Sequence, residues 1–185
     1  MDDFKSLREN YTQVVDGALA CLSLRLQHPC LILIYTLIDS LAWASSDTRS
    51  DKLRPRFEQW VSFWLKDSIS CTATELYAAR CAVLHTLTSK AELDNSGELR
   101  EIAYAWGTAK ADELQQAMDR GGHSQLVAVH IDQLLDDVCN ALEKILDESE
   151  RDLALKQRLQ DAAKQHLVND TRELVEQFLA QSRGA

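Results

Sequence analysis

The amino-acid sequence predicts a mainly α-helical fold. Only 6 glycines and 2 prolines occur in 185 residues, which leaves few turn residues for a many-stranded β fold. Apolar residues recur every three to four positions along most of the chain, the spacing of helices with one buried face. Hydrophobic residues make up 45% and charged residues 26% of the chain, as in ordinary globular proteins. We therefore expect a helical bundle in which residues 1–185 form a single domain.

The first half of the chain contains four predicted helices. The first covers about residues 2–27, and the second begins near Pro29, since proline suits the first turn of a helix. Residues 31–43 are apolar on nearly every side, so this second helix should lie at the centre of the core. A loop is expected at residues 45–51, and a third helix after Pro55 carries an aromatic face with Trp60 and Trp64.

The fourth helix has a clear start signal. Thr72 and Glu75 form the pattern of a capping box, in which each side chain accepts a hydrogen bond from the other residue's backbone N–H. The helix is predicted to reach about Lys90 and to be followed by a loop at residues 94–97.

The second half of the chain combines short strands with further helices. Alternating and β-branched residues at 102–106 and 126–131 predict two strands paired as a small β ribbon, with a helix at about 109–120 between them. An amphipathic helix begins at residue 132 or 133, and polar helical sequence continues from Arg151 to the end, as a lid, a dimer arm or a docked tail. Residues 1–95 are thus the helical core, and residues 96–185 carry the ribbon and the C-terminal helices.

The charge distribution argues against DNA as a partner. The net charge is −9, and the whole excess lies in residues 91–185, which hold 10 basic and 19 acidic side chains. A polyanion would be repelled by this half and not attracted by the balanced first half, so tight non-specific DNA binding is not expected. Small or weakly held RNA is compatible with this distribution.

Cysteine spacing and hydropathy predict a cytoplasmic protein without a metal or membrane segment. The 5 cysteines are odd in number and contain no CxxC pair, so they indicate neither a disulfide framework nor a zinc site. The start Met-Asp-Asp-Phe lacks the basic region of a signal peptide. The most apolar run, residues 31–44, is too short to span a bilayer and contains Asp39.

Two charged residues stand out because their neighbours are apolar. Arg80 falls within the apolar stripe of the fourth helix, and Asp39 is the only charged residue between Arg25 and Asp47. An unpaired buried charge is very costly. We therefore predict that Arg80 and Asp39 pair, or that both line one polar cleft.

His85 adds a titratable group to the same helix. It follows Arg80 by five residues, about 140° around an ideal helix, so the spacing alone does not place both on one face. A long arginine can reach back across the helix, or a second subunit can complete the cleft. Histidine moves protons near neutral pH, and arginine holds phosphate. The alternative is that His85 packs in the core and that Arg80–Asp39 is a structural ion pair.

The segment Leu76-Tyr-Ala-Ala-Arg80-Cys-Ala-Val-Leu-His85-Thr86 resembles the signature of HEPN domains (higher eukaryotes and prokaryotes nucleotide-binding), in which histidine follows arginine after four to six residues. The resemblance covers about residues 1–95, and the Tyr104-Ala-Trp-Gly107 segment is similar to that of a group of uncharacterised bacterial proteins. It implies a helical bundle that dimerises around the motif.

Active HEPN members cleave RNA without a metal or other cofactor, in toxin or defence systems that can include an antitoxin protein. By this resemblance His85 would transfer protons at the 2′-hydroxyl or the leaving oxygen, and Arg80 would stabilise the phosphate charge. Active members commonly have a polar residue directly after the arginine, where this chain has Cys81, a supporting residue of the predicted site. Two alternatives remain: a non-catalytic HEPN-like module that binds a nucleotide or a partner protein, and an unrelated helical scaffold.

Three further patterns receive structural interpretations. The basic run from Arg49 to Arg56 is interpreted as a solvated loop, although it could touch phosphates. His123 and His130, beside the second strand, are expected to be structural or surface residues. Cys81 and His85 have a spacing that can chelate a metal, but no third ligand is evident.

Overall fold

The computed structural model describes residues 4–47, 52–87, 99–165, 176–177 and 179–181, and it confirms the mainly helical fold with a small two-stranded sheet. Its elements in chain order are α1 (Lys5–Ser23), α2 (Gln27–Ser45), α3 (Leu53–Trp64), α4 (Ala73–Thr86), β1 (Glu101–Ala105), α5 (Ala111–Arg120), β2 (Leu126–His130), α6 (Ile131–Ser149) and α7 (Leu153–Ala163).

Helix α2 is the central element, as its apolar sequence predicts. It packs against α1, α3, α4, α6 and α7, and buries residues on several sides, including Ile34, Tyr35 and Ile38. The apolar run lies within a helix of 19 residues, which by length and composition alone could cross a membrane. The core helix of a soluble protein passes the same test, and the helices packed around α2 account for its apolar character.

The apolar core draws on both halves of the chain. Side chains from α1 to α4 pack in one cluster with side chains from the two strands, α6 and α7. Helix α7 is also tied to the first half by polar contacts, since Arg158 Nε donates to the Ser45 carbonyl at 3.0 Å and Ser6 Oγ donates to the Ala163 carbonyl at 3.2 Å. The polar C-terminal sequence therefore begins as a docked helix.

Helix α4 begins at the predicted capping box but ends earlier than predicted. The Thr72 N–H donates to Glu75 Oε2 at 2.7 Å, and the Glu75 N–H donates to Thr72 Oγ1 at 3.1 Å. The helix ends at Thr86 because Leu87 adopts a left-handed conformation with φ of 53°. Its predicted extension to Lys90 is therefore wrong, and the loop predicted at 94–97 lies outside the described residues.

Glu75 also joins α4 to β1. Arg100 Nε donates to Glu75 Oε1 at 2.7 Å and Arg100 Nη2 donates to Glu75 Oε2 at 3.0 Å. Burial opposes ionisation of Glu75, but the hydrogen bonds from Arg100 and Thr72 outweigh this effect and hold its pKa below the usual value. One carboxylate thus caps a helix and anchors a strand.

Glu75→Ala is expected to lower the free energy of unfolding at neutral pH by about 2 kcal/mol, through loss of the cap and of charged hydrogen bonds. Because the folded pKa is lowered, this stabilisation is present above the unfolded pKa and is lost as the pH falls through the folded pKa. Urea unfolding should therefore show a difference between wild type and variant that shrinks in acid. The control is Glu113→Ala. Glu113 lies in the first turn of α5 and its side chain is 65% exposed, so this substitution should change the free energy of unfolding little at neutral pH or in acid.

The predicted β ribbon is present, and its strands are parallel. Glu101 pairs with Leu126 and Ala105 pairs with His130, while α5 connects the two strands. Trp106 lies beyond the end of β1 and is 48% exposed, and residue 131 already belongs to α6. A parallel pair requires a crossover connection, which explains why a helix lies between two such short strands.

The aromatic face of α3 is only partly buried. Phe57 and Trp60 lie in the core, Trp64 is half-buried and Phe63 is exposed. The interpretation of the basic run as a solvated loop is wrong for Arg54 and Arg56, because both belong to α3. Arg49 lies outside the described residues.

Candidate functional site

Arg80 and Asp39 form the predicted buried ion pair between α4 and α2. Arg80 is 9% exposed, and its Nη2 and Nε atoms donate to Asp39 Oδ2 at 2.7 and 3.0 Å. Both bonds use the same carboxylate oxygen. Asp39 Oδ1 is buried and has no hydrogen-bond partner within the described ranges.

The electrostatics of the pair keep the guanidinium charged. Burial raises the pKa of Asp39, and the nearby Arg80 and Arg56 only partly offset this effect. Burial disfavours the charged form of Arg80, but its hydrogen bonds and charge interaction with Asp39 outweigh this effect and raise the pKa of Arg80. The pair therefore holds a charged guanidinium in a fixed position, and Asp39 balances its charge.

Arg80 also reaches His85. Its third nitrogen, Nη1, lies 3.5 Å from His85 Nε2, although the two residues start from different faces of α4. The arginine side chain covers this distance by extending along the helix. The two groups therefore meet within one subunit, as predicted for a long arginine that reaches across the helix. His85 is exposed in the last turn of α4, so the expectation that it could pack in the core is wrong. An exposed imidazole beside a fixed guanidinium can transfer protons to a bound ligand.

Cys81 and Tyr77 complete the surroundings of the guanidinium. Arg80 Nη1 lies 3.9 Å from Cys81 Sγ, a weak contact, and the Tyr77 ring centroid lies 5.9 Å from Arg80 Cζ. Burial raises the pKa of Tyr77, and its hydrogen bond to Cys81 adds to this shift. The Tyr77 hydroxyl therefore stays protonated at neutral pH and can donate a hydrogen bond.

Two arginines of α3 lie near residues of this site, and sequence reasoning did not assign them to it. Arg54 Cζ lies 5.7 Å from the Tyr77 ring centroid, and Arg56 is close enough to Asp39 to lower its pKa against the effect of burial. Arg54 and Arg56 come close to α4 because α3 packs on that helix. The basic run was a visible signal, but only the tertiary structure brings it to Arg80.

The site therefore suits an anion better than a cation. Arg54, Arg56 and Arg80 provide three positive charges and Asp39 and Glu58 two negative ones, since Asp39 pairs with Arg80 and Glu58 with Arg54 at 2.9 Å, so the net charge of these five residues is +1. Cys81 and His85 are not joined by a third metal-binding side chain, since no group of three potential ligands occurs within the described ranges. Arginine side chains and a histidine in this arrangement are typical of phosphate binding and proton transfer.

No protein-family model, curated protein or solved structure matches the chain. The resemblance to HEPN domains therefore stays a prediction, which depends on the spacing of Arg80 and His85 and on their surroundings.

Proposed function

We propose that the protein is a HEPN-like endoribonuclease that cleaves RNA without a metal and acts as a cytoplasmic homodimer of the toxin or defence type. The observation that carries this proposal is the contact between Arg80 Nη1 and His85 Nε2 at 3.5 Å, with the guanidinium anchored by Asp39. A proton-transfer group and a fixed phosphate-binding group thus occupy one surface. An antitoxin protein would act by covering this surface.

Each chemical step uses groups of the RNA and of this chain. Neutral His85 takes the proton of a 2′-hydroxyl, the 2′-oxygen bonds to the adjacent phosphorus, and the bond from phosphorus to the 5′-oxygen breaks. The leaving oxygen accepts a proton from a second imidazole, supplied by the other subunit, or from water. Arg80 stabilises the negative charge that develops on the phosphoryl oxygens. The products are a 2′,3′-cyclic phosphate and a 5′-hydroxyl.

The two arginines of α3 extend the phosphate-binding surface beyond the cleaved bond. Arg54 lies beside Tyr77 and Arg56 lies near Asp39, so each would attract a phosphate next to the reacting one. These contacts are electrostatic and independent of base sequence, and they would weaken as salt is added. The acidic second half limits the length of RNA that can be held.

The direct test is cleavage of end-labelled cellular RNA by the purified full-length protein in excess chelator. We expect fragments with 2′,3′-cyclic phosphate ends, which acid or a phosphatase specific for cyclic ends will shift on a gel. Protein with Arg80→Lys should bind RNA but cleave it much more slowly, because a lysine cannot keep both contacts of the guanidinium. RNA that stays intact with excess wild-type protein rules out the nuclease.

A non-catalytic module that binds a nucleotide or a partner protein is the second candidate. It is favoured by the ion pair itself, because Asp39 already neutralises Arg80, and by Cys81 at the position where active HEPN members commonly have a polar residue. Saturable binding of a fluorescent nucleotide or RNA without cleavage, weakened by the charge-removing variant Arg56→Ala, would select this candidate.

A further inference from the structure

A separate cavity shares no lining residue with the Arg80 surface. It has a volume of about 360 Å³ and is bounded by the segment after α3, by α5, by β2 and by α6. Apolar side chains form much of its wall, among them Ile69, Val129 and Leu134. This volume is in the range of cavities that hold small organic molecules.

The cavity wall contains a buried carboxylate with an open acceptor. Asp137 is 9% exposed, and its Oδ1 accepts a hydrogen bond from Gln133 Nε2 at 3.0 Å. Asp137 Oδ2 is buried and has no hydrogen-bond partner among the described residues. Ser68 is close enough to Asp137 to lower the pKa of that carboxyl, but its hydroxyl proton is directed to the Leu65 carbonyl at 3.1 Å. A buried carboxylate oxygen without a donor is costly, so a ligand that supplies one is favoured.

The other polar side chains of the wall already have partners within the protein. Ser70 Oγ donates to the Ala128 carbonyl at 2.5 Å, and Gln115 Oε1 accepts from the Ala128 N–H at 2.8 Å. His130 has the structural role expected from the sequence, because its Nδ1 accepts from the Gln133 N–H and caps α6. The buried side-chain atom of the wall that has no partner among the described residues is therefore an acceptor, Asp137 Oδ2.

The charge of the wall specifies the ligand further. Asp112 and Asp137 both line the cavity, and neither a lysine nor an arginine does so among the described residues. Burial raises the pKa of Asp137 and the neighbouring Asp136 adds to this shift, while the Gln133 hydrogen bond and the charge of Lys144 only partly offset it. A positive group next to Asp137 would relieve both effects, whereas an anion would be repelled.

We propose that this cavity binds a small organic cation, a primary ammonium or guanidinium group on a short apolar chain. The charged group donates to Asp137 Oδ2, and the apolar chain lies against Ile69, Val129 and Leu134. This site is independent of the proposed nuclease surface, which selects ligands of the opposite charge.

The test is an NMR titration of the full-length protein with n-butylamine and n-butylguanidine, with n-butanol as the neutral probe of similar size. We expect saturable shifts of the Ala128 and Val129 amide signals with both cations but not with the alcohol. Asp137→Asn should weaken binding by about tenfold or more, because the charge-assisted hydrogen bond is lost. The control Asp136→Asn removes the same charge from an exposed neighbour and should change the affinity by no more than about twofold.

A second variant keeps the test decisive if Asp137→Asn disturbs the fold. Ala111→Leu adds volume at the cavity wall from the start of α5 and should also abolish the shifts. The proposal is overturned if neither cation gives saturable shifts, if n-butanol binds as well as n-butylamine, or if binding survives in folded Asp137→Asn.

Discussion

His85→Ala is expected to lower the rate constant of RNA cleavage by about a hundredfold or more, the usual contribution of a positioned general base or acid. Because His85 is exposed and contacts Arg80 only at 3.5 Å, the melting temperature should stay close to that of wild type. Single-turnover cleavage at saturating protein, together with thermal unfolding, separates the loss of chemistry from a loss of folding.

The matched control is His28→Ala, which removes another exposed histidine, at the start of α2. Its rate constant should equal that of wild type. If His85→Ala cleaves within about threefold of wild type, His85 is not the proton-transfer group, since even weak general-base catalysis exceeds that factor. The contact between Arg80 and His85 would then contribute to the structure of the site and not to catalysis.

Asp39→Ala is expected to lower the free energy of unfolding by about 3 kcal/mol, the cost of leaving one partner of a buried ion pair without the other. The affected charge is that of Arg80, whose side chain is 10% exposed and bonds to Asp39 through two nitrogens. Chemical denaturation at neutral pH measures this difference. Asp47→Ala is the control, because its carboxylate pairs with Arg158 but is 75% exposed, and its effect should be far smaller.

A double variant distinguishes an unpaired charge from a simple loss of packing. Asp39→Ala combined with Arg80→Leu removes both charges, so most of the stability lost in Asp39→Ala should return. If the double variant instead loses as much free energy of unfolding as the two single variants combined, the ion pair does not determine the stability of the α2–α4 contact. Unchanged stability in Asp39→Ala would show that Arg80 is solvated or has another anion available.

The sequence predicts the Arg80–Asp39 pair because the argument depends only on the cost of burying a charge. Each residue stands alone among apolar neighbours, and each needs the other wherever the two helices meet. The start of α4 is predictable for a similar reason, since Thr72 and Glu75 satisfy each other within four residues. The helix start thus depends on local chemistry, and the ion pair depends on the cost of burying either charge alone.

Other features depend on tertiary structure and are not visible in the sequence. Leu87 has no preference for the left-handed conformation that ends α4, so the helix was expected to continue. The contact between Arg80 and His85 depends on the conformation of one long side chain, and the helical spacing alone disfavours it. Arg54 and Arg56 come near the site only because α3 packs on α4, a relation that no local pattern encodes. Tyr77, in contrast, precedes Arg80 by three residues on α4, a spacing that the sequence shows.

The side-chain contacts of β2 also affect how the protein behaves at high concentration. Ala128 has both its N–H and its carbonyl bonded to Gln115 and Ser70, so these groups cannot serve as a template for a strand from another molecule. Sheet extension at this position would require two intramolecular bonds to break first. The outer edge of β2 is thereby blocked at its middle residue, which opposes the pairing of a further strand there.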